Sequence, residues 1–290
     1  FNQARLMNIL YIGSSGALSL EPFKKLLSSE HSVAAVGVFN PVILSDKIIA
    51  LENSSLSLLA AQQNILIIDL SQSVDFIVEK IKQLSIDVIL VSCYGKHLPD
   101  EVAASANLGC FNMHPSLLPK YRGPEPIFWQ MKFGDETGVS WHHVTKEFDA
   151  GAVVKQKVVF LEDGASYQEV NESLAVAGTD LMMEMLTELK TTDLSANHQQ
   201  EELSSYYRYP VKEDFVVDIT GSAQDAFNFM RATEAFAYPY LCQIGSHHYM
   251  LDKALDYDNN DHLLDAETSG NTINIPCNEG VLIATFTGKL

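Results

Sequence analysis

The sequence predicts an α/β protein: a mostly parallel sheet covered by helices on both faces, followed by a smaller, mainly β domain. Three observations lead there. Short, wholly apolar runs alternate with segments of helical period in the first part of the chain, as strands buried on both faces require. The 290-residue length fits one large domain or two modest ones. From about Glu201 the pattern changes to short strand-like runs separated by turn signals.

Asn8–Ile12 (NILYI) opens the sheet and ends at Gly13, Ser14, Ser15 and Gly16, a tight turn onto the helical spacing of Leu18–Leu27. That turn lacks the GxGxxG spacing. The second apolar run, Val33–Phe39, ends in Phe-Asn-Pro without the acidic residue that holds a ribose, so a dinucleotide site is not expected. The free amides of such a helix start still attract an anion. Ile65–Leu70 and Asp87–Ser92 read as the third and fourth strands, with helical spacing over Val74–Leu84 between them. Cys110–Met113 is the next strand, Pro126–Phe133 a helix, Gly138–Val144 and Val153–Phe160 strands, and Tyr167–Leu189 a long amphipathic helix containing Gly178. Thr191–Gln200 is polar and linker-like, which places a first domain at residues 7–200 and a second at 201–290. The second carries one helix, Ala223–Ala232, and turns at Asp258-Asn-Asn and Asn278-Glu-Gly. Phe1–Leu6, ahead of Met7, reads as leader or vector sequence outside the fold.

Composition narrows the function. The formal charge is −18, and the chain has only four arginines, Arg5, Arg122, Arg208 and Arg231. A large nucleic-acid footprint needs clustered Lys and Arg to displace phosphate counterions, so none is expected. From Glu201 onward 14 acidic and 5 basic residues leave a net −9, half of the whole excess. Cys93, Cys110, Cys242 and Cys277 are scattered without CxxC spacing, which argues against a metal site or a disulfide framework. No signal peptide and no run long enough to span a bilayer is read, so a cytoplasmic protein is expected.

The chemistry concentrates in Phe111–Trp129 (FNMHPSLLPKYRGPEPIFW). Residues two apart on a strand point the same way, so Asn112 and His114 share a face. Pro115 keeps His114 out of the helical region. The stretches Ser116–Pro119 and Arg122–Pro124 then form a stiff loop, and such loops at the carboxyl ends of parallel strands are where open α/β folds place ligands. Asp149, in KEFDAG after the strand Gly138–Val144, reaches the same rim if that strand neighbours Cys110–Met113. Asn, His and Asp there form a catalytic set without a protein nucleophile. The amide can donate to an oxygen that becomes negative as a carbonyl is attacked. The imidazole can stabilise that oxygen or take a proton from an attacking amine. The carboxylate can orient the ring, raise its basicity or relay a proton through water. Ser116 lacks the G-x-S-x-G elbow of a nucleophile. His142-His143 and His247-His248 lie in strand patterns with their rings on opposite faces, poor metal geometry, and read as structural or solvent-facing. Tyr206–Tyr209 reads as a strand edge of the second domain.

FNMHPSLLPKYRG, ETGVSWHHV and EFDAGAVVKQ together resemble the formyltransferases that use 10-formyltetrahydrofolate, a likeness covering most of Met7–Leu189. The C-terminal segment is similar to the OB-like barrel appended in the tRNA and amino-sugar members. The resemblance implies a Rossmann-like sheet and an N-formyltransferase with Asn112, His114 and Asp149 as its catalytic trio. It implies folate contacts at His97, Leu98 and Pro99, at Ser116, Leu117, Leu118 and Pro119, and at Thr145, Lys146, Glu147 and Phe148. The donor is then 10-formyltetrahydrofolate, with no metal, and the partner a small primary amine such as an amino-sugar nucleotide. KHLP, KYRG and DAGAVV resemble the amino-sugar members, although Pro124 stands where the 4-amino-arabinose enzyme has Arg. A methionyl-tRNA formyltransferase is the first alternative. It is disfavoured by the non-basic Asn40–Ser54 and by the acidic second domain. A hydrolase releasing formate from the same donor is the second.

Overall fold

The computed structural model describes residues 6–39, 43–44, 47–48, 55–191 and 194–289. They gather into two compact units. One runs to Gly123 and includes Gly138–Val159 and Asn171–Tyr206; the other joins Pro124–Thr137 and Phe160–Val170 to the chain from Tyr207.

The first unit is built on β1 (Asn8–Ile12), α1 (Ala17–Leu27), β2 (Ser32–Val38), the short pair β3 (Ile43–Leu44) and β4 (Lys47–Ile48), and α2 (Leu56–Gln62). It continues through β5 (Leu66–Asp69), α3 (Val74–Gln83), β6 (Val88–Ser92), α4 (Asp100–Ala103) and β7 (Cys110–His114). The helix α5 (Pro126–Phe133) belongs to the other unit, after which β8 (Gly138–His143) and β9 (Val153–Val158) complete the sheet. Seven strands lie in the order β5-β2-β1-β6-β7-β8-β9. The first five are parallel, and β8 and β9 are antiparallel to their neighbours. The continuous apolar runs are thus explained. Ile9–Ile12 and Val88–Val91 are buried throughout because helices cover the central strands. Leu10, Ile12, Ile68, Ile77, Ile81 and Ile89 join in one core cluster on this sheet, each worth roughly 1.5–3 kcal/mol when fully buried.

The long helix α6 (Tyr167–Leu189) starts in the second unit and continues in the first. At Gly178 it meets the strands: an added Cβ would stand 2.2 Å from Met113 Sδ. Trp141 donates its indole N–H to the Gly178 carbonyl at 2.8 Å. The glycine noted in the sequence therefore permits a close helix–sheet crossing. Met113 and Trp141 face this helix, so their neighbours Asn112, His114 and His142 are left to the opposite face of β7 and β8.

The second unit holds α5, α7 (Ala223–Thr233) and five antiparallel strands. These are β10 (Tyr240–Ile244), β11 (His247–Asp258), β12 (Glu267–Ser269), β13 (Thr272–Pro276) and β14 (Val281–Lys289), in the order β10-β11-β14-β13-β12. Phe128 of α5 packs against Phe215, Phe229 and Phe236 with ring centroids 5.0, 5.6 and 5.7 Å away. This cluster is what recruits α5 to the second unit. The expected strand at Tyr206–Tyr209 is absent. Tyr207 instead stacks on Trp129 at 4.9 Å and Arg208 pairs with Asp214 at 3.0 Å, contacts that fix the segment without a ladder. His247 and His248 do lie on a strand, β11, one exposed and one half-buried. Among the described residues no helix is long and apolar enough to cross a membrane.

Candidate active site

Strand β7 presents Asn112 and His114 on one face, and β8 runs antiparallel beside it. Their register sets His142 directly opposite Asn112 and Ser140 opposite His114. Cross-strand partners on one face stand close enough to bond. The Asn112 amide donates an N–H to His142 Nε2 at 3.1 Å. His142 Nδ1–H in turn donates to the His143 carbonyl at 2.9 Å, which fixes the tautomer that accepts from Asn112. One Asn112 N–H is used in this way.

His114 is buried, and its Nε2–H donates to the Tyr121 carbonyl at 2.8 Å. In the neutral ring the lone pair therefore sits on Nδ1, which lies 3.5 Å from Asp149 Oδ1. The same oxygen stands 3.6 Å from His142 Nε2. Both separations exceed a direct hydrogen bond, and the one carboxylate oxygen lies close to both rings. Asp149 Oδ2 accepts the Gly123 amide N–H at 2.9 Å. Asp149 itself is left-handed, with φ 55°. A non-glycine residue held there stores about 1–3 kcal/mol, which recurs where a site over-determines its geometry.

Electrostatics follow from this packing. Burial is the largest influence on His114 and lowers its pKa below the ordinary 6.5; the Asp149 charge and the Tyr121 carbonyl oppose it without reversing it. Burial would raise Asp149, but His114, His142 and the Gly123 amide together hold it well below the usual carboxylate range. At neutral pH the site is a neutral imidazole beside a carboxylate.

The two loops are held by specific bonds. Under the loop after His114, Ser140 Oγ donates to the Ser116 carbonyl at 2.6 Å and accepts the Leu118 amide at 3.2 Å. Gln156 on β9 donates to Ser140 Oγ at 2.8 Å and to the Leu118 carbonyl at 2.9 Å. In the second loop Gly151 is required: an added Cβ would lie 1.8 Å from the His143 carbonyl oxygen, the group that orients His142. Gly151→Ala is expected to cost about 3 kcal/mol or more, since overpacking against backbone relaxes poorly. Urea denaturation of the two proteins measures it.

Asn112, His114 and Asp149 are thus brought together. His97, Lys146 and Phe148 also converge on an exposed surface. The His97 Nε2–H donates to the Lys146 carbonyl at 2.9 Å, and its ring meets Phe148 edge-on at 5.6 Å. Thr145 and Glu147 are exposed, with the Thr145 hydroxyl bonded to the Glu147 carbonyl at 3.0 Å. Leu98 is buried in the sheet core, and Pro99 caps α4. Ser116 and Leu118 are buried, whereas Leu117 and Pro119 are half-buried in the same loop.

His142 corrects the sequence reading. Its ring and that of His143 do point apart: His143 packs on Phe111 at 4.7 Å, while His142 is buried against Asn112 and close to Asp149 in the candidate site. The missing signal was strand pairing. Only when β8 is set antiparallel to β7 does His142 fall opposite Asn112. His142→Leu, which leaves the Asn112 amide unaligned, is expected to lower kcat about tenfold. That is less than the roughly 10²–10³ for removing an oxyanion donor outright, and steady-state kinetics separate the two.

The fold and these side chains define a class: an α/β protein whose candidate site brings together an amide donor, an imidazole and a carboxylate. The formyl transferase family model matches residues 7–186, and the chain belongs to that family. A methionyl-tRNA formyltransferase of Thermotoga maritima is 35% identical over 158 residues, 54% of this chain and 50% of that protein. The chain thus spans about half the length of such a curated relative. One from Carboxydothermus hydrogenoformans is 31% identical over 78% of this chain and 73% of its own length. The fold is also similar to that of an N-formyltransferase from Helicobacter canadensis, solved with folinic acid and dTDP-3-aminofucose. The TM-score is 0.69 at 16% identity, covering 98% of this chain and all of that one.

Proposed function

We propose that the chain transfers a formyl group from 10-formyltetrahydrofolate to a primary amine of a small acceptor, an amino-sugar nucleotide or a similar metabolite. The observation that carries this is the Asn112–His114–Asp149 cluster, with the His114 lone pair on Nδ1 beside a carboxylate. His114 Nδ1 takes the proton shed as the amine nitrogen bonds to the formyl carbon. Asn112 donates its free N–H to the formyl oxygen, which gains negative charge. Asp149 stabilises the imidazolium, which then returns the proton to the folate nitrogen as the old carbon–nitrogen bond breaks. Holding donor and amine in line supplies several kcal/mol more, in the order of magnitude expected of oriented reactants. His97, Thr145, Lys146, Glu147 and Phe148 are proposed to receive the folate, with Leu98, Pro99 and Ser116–Pro119 shaping the walls beneath it.

The names of the relatives favour a second reading, with methionyl-tRNA as acceptor. The charge of −18 opposes it, since like charges repel a polyanion. Incubating the folate donor with a panel of amines and reading the products by mass tests the first reading. A formylated amino sugar supports it. Salt-sensitive filter binding of initiator tRNA, with formylation of its methionine, transfers the case to the second. Formate released at full rate with no amine present would make the chain a hydrolase.

The pH profile has a definite sign. With its pKa depressed, His114 remains neutral through pH 7. Then kcat/KM is expected to hold level down past pH 6.5 and to fall only below the depressed value, as the base protonates. A limb above pH 7, or a flat rate throughout the acid range where the chain stays folded, counts against His114 as the base.

A further inference from the structure

Residues 197–206 read in the sequence as linker and as the start of the second domain, yet they are bonded to both loops of the active site. Asn197 and Val153 exchange backbone bonds, Val153 N–H to the Asn197 carbonyl at 2.9 Å and Asn197 N–H to the Val153 carbonyl at 2.8 Å. Ser205 does the same at the other loop. Its N–H donates to the Pro119 carbonyl at 3.2 Å, its carbonyl accepts the Arg122 amide at 2.9 Å, and its hydroxyl accepts the Tyr121 amide at 2.9 Å. Tyr121 is the residue whose carbonyl holds His114.

Between these clamps lies the half-buried Gln199. Its Nε2 donates to the Asp149 carbonyl and to the Gly151 carbonyl, both at 2.7 Å. Its Oε1 accepts from Arg122 Nε at 3.1 Å and from the second guanidinium nitrogen at 3.0 Å. The buried Arg122 completes the chain with a two-point pair to Glu201, at 3.2 and 3.0 Å. Arginine suits this place because its planar fork serves two acceptors at once. Both ends of the Gln199 amide are therefore committed. Its nitrogen grips two carbonyls of the turn that throws Asp149 into the left-handed region, and its oxygen is fixed by Arg122.

We propose that Gln199, locked by Arg122 and Glu201, is a positioning residue that holds the Asp149 turn and so keeps the carboxylate between the His114 and His142 rings. The inference rests on the reading of Asp149 as the partner of the catalytic base, but its test does not require turnover. The groups facing His114 are Asp149, His142 and the Tyr121 carbonyl. Of these Asp149 favours the imidazolium most, so a carboxylate that drifts away lowers the His114 titration midpoint further.

The experiment is a ring-resonance NMR titration of His114 in the full chain and in Gln199→Met, which keeps length and adds no charge but offers no donor where both carbonyls need one. The midpoint is expected to fall by about half a pH unit or more with spectral dispersion retained, because an aligned opposite charge shifts a pKa on this scale. Arg122→Lys, which cannot hold Gln199 and Glu201 together, is expected to move it the same way by less. Where an amine acceptor is in hand, Gln199→Met is expected to lose about tenfold or more in kcat with KM little changed. An unmoved midpoint in a folded Gln199→Met protein overturns the inference, whatever the rate does. If Gln199→Met does not fold, Gln199→Asn, too short to reach both carbonyls, carries the same comparison. A failed amine panel with a shifted midpoint would sink the transferase reading and leave the positioning role standing.

Discussion

Asn112→Ala is expected to lower kcat for formyl transfer by about 10²–10³, with little change in the KM of the folate donor, because an oxyanion donor acts chiefly in the transition state. The site gives the reason. Asn112 stands on β7 with one N–H anchored on His142 Nε2 at 3.1 Å, so its second N–H is aimed before the substrate arrives. Alanine removes the donor without disturbing the strand, whose register is set by backbone pairs to β6 and β8. Truncation also frees His142 Nε2, so the His142 and Asn112 effects should be less than additive. A double-variant cycle with single-turnover rates checks this. A loss confined to KM would assign Asn112 to ground-state binding alone.

Asp149→Asn is expected to cost about 10²–10⁴ in kcat, the range over which a positioned proton-transfer group contributes. Asparagine tolerates the left-handed backbone at φ 55° and can still accept the Gly123 amide, so the turn survives. What is lost is the charge 3.5 Å from His114 Nδ1. The imidazolium then forms against burial with only the Tyr121 carbonyl to offset it, and the His114 pKa moves further down. The rate at neutral pH falls while the acid limb of kcat/KM shifts to lower pH. Circular dichroism confirms the fold, and the pH–rate profile separates loss of a base partner from general damage. A drop in rate with an unmoved limb would assign Asp149 to loop structure instead.

These two residues also show what the sequence could reveal. Asn112 and His114 were legible because period-two alternation and Pro115 are local rules. Asp149 was legible only as a residue that would arrive if one strand neighboured another. β8 does neighbour β7, antiparallel, and the condition is met. The parallel strands were legible from apolar runs, since burial on both faces leaves no alternation to misread. His142 was not legible, because its partner is thirty positions away and only strand pairing joins them. Nor was the role of Gln199 and Arg122, which lie 77 positions apart in the chain and meet through tertiary hydrogen bonds. The aromatic cluster around Phe128 likewise depends on residues distant in sequence, so nothing near Pro126–Phe133 announces where that helix packs.

The proposed chemistry turns on His114 Nδ1 accepting a proton from an amine as that amine takes the formyl carbon. Single-turnover reaction of donor labelled with ¹³C in the formyl group, in wild type and in His114→Ala, addresses it directly once an amine is chosen from the panel. Labelled formamide should accumulate with wild type and slow by about 10²–10⁴ in the variant, with part of the rate recovered by added imidazole. Formamide appearing equally fast from both proteins would leave the imidazole without a part in the chemistry.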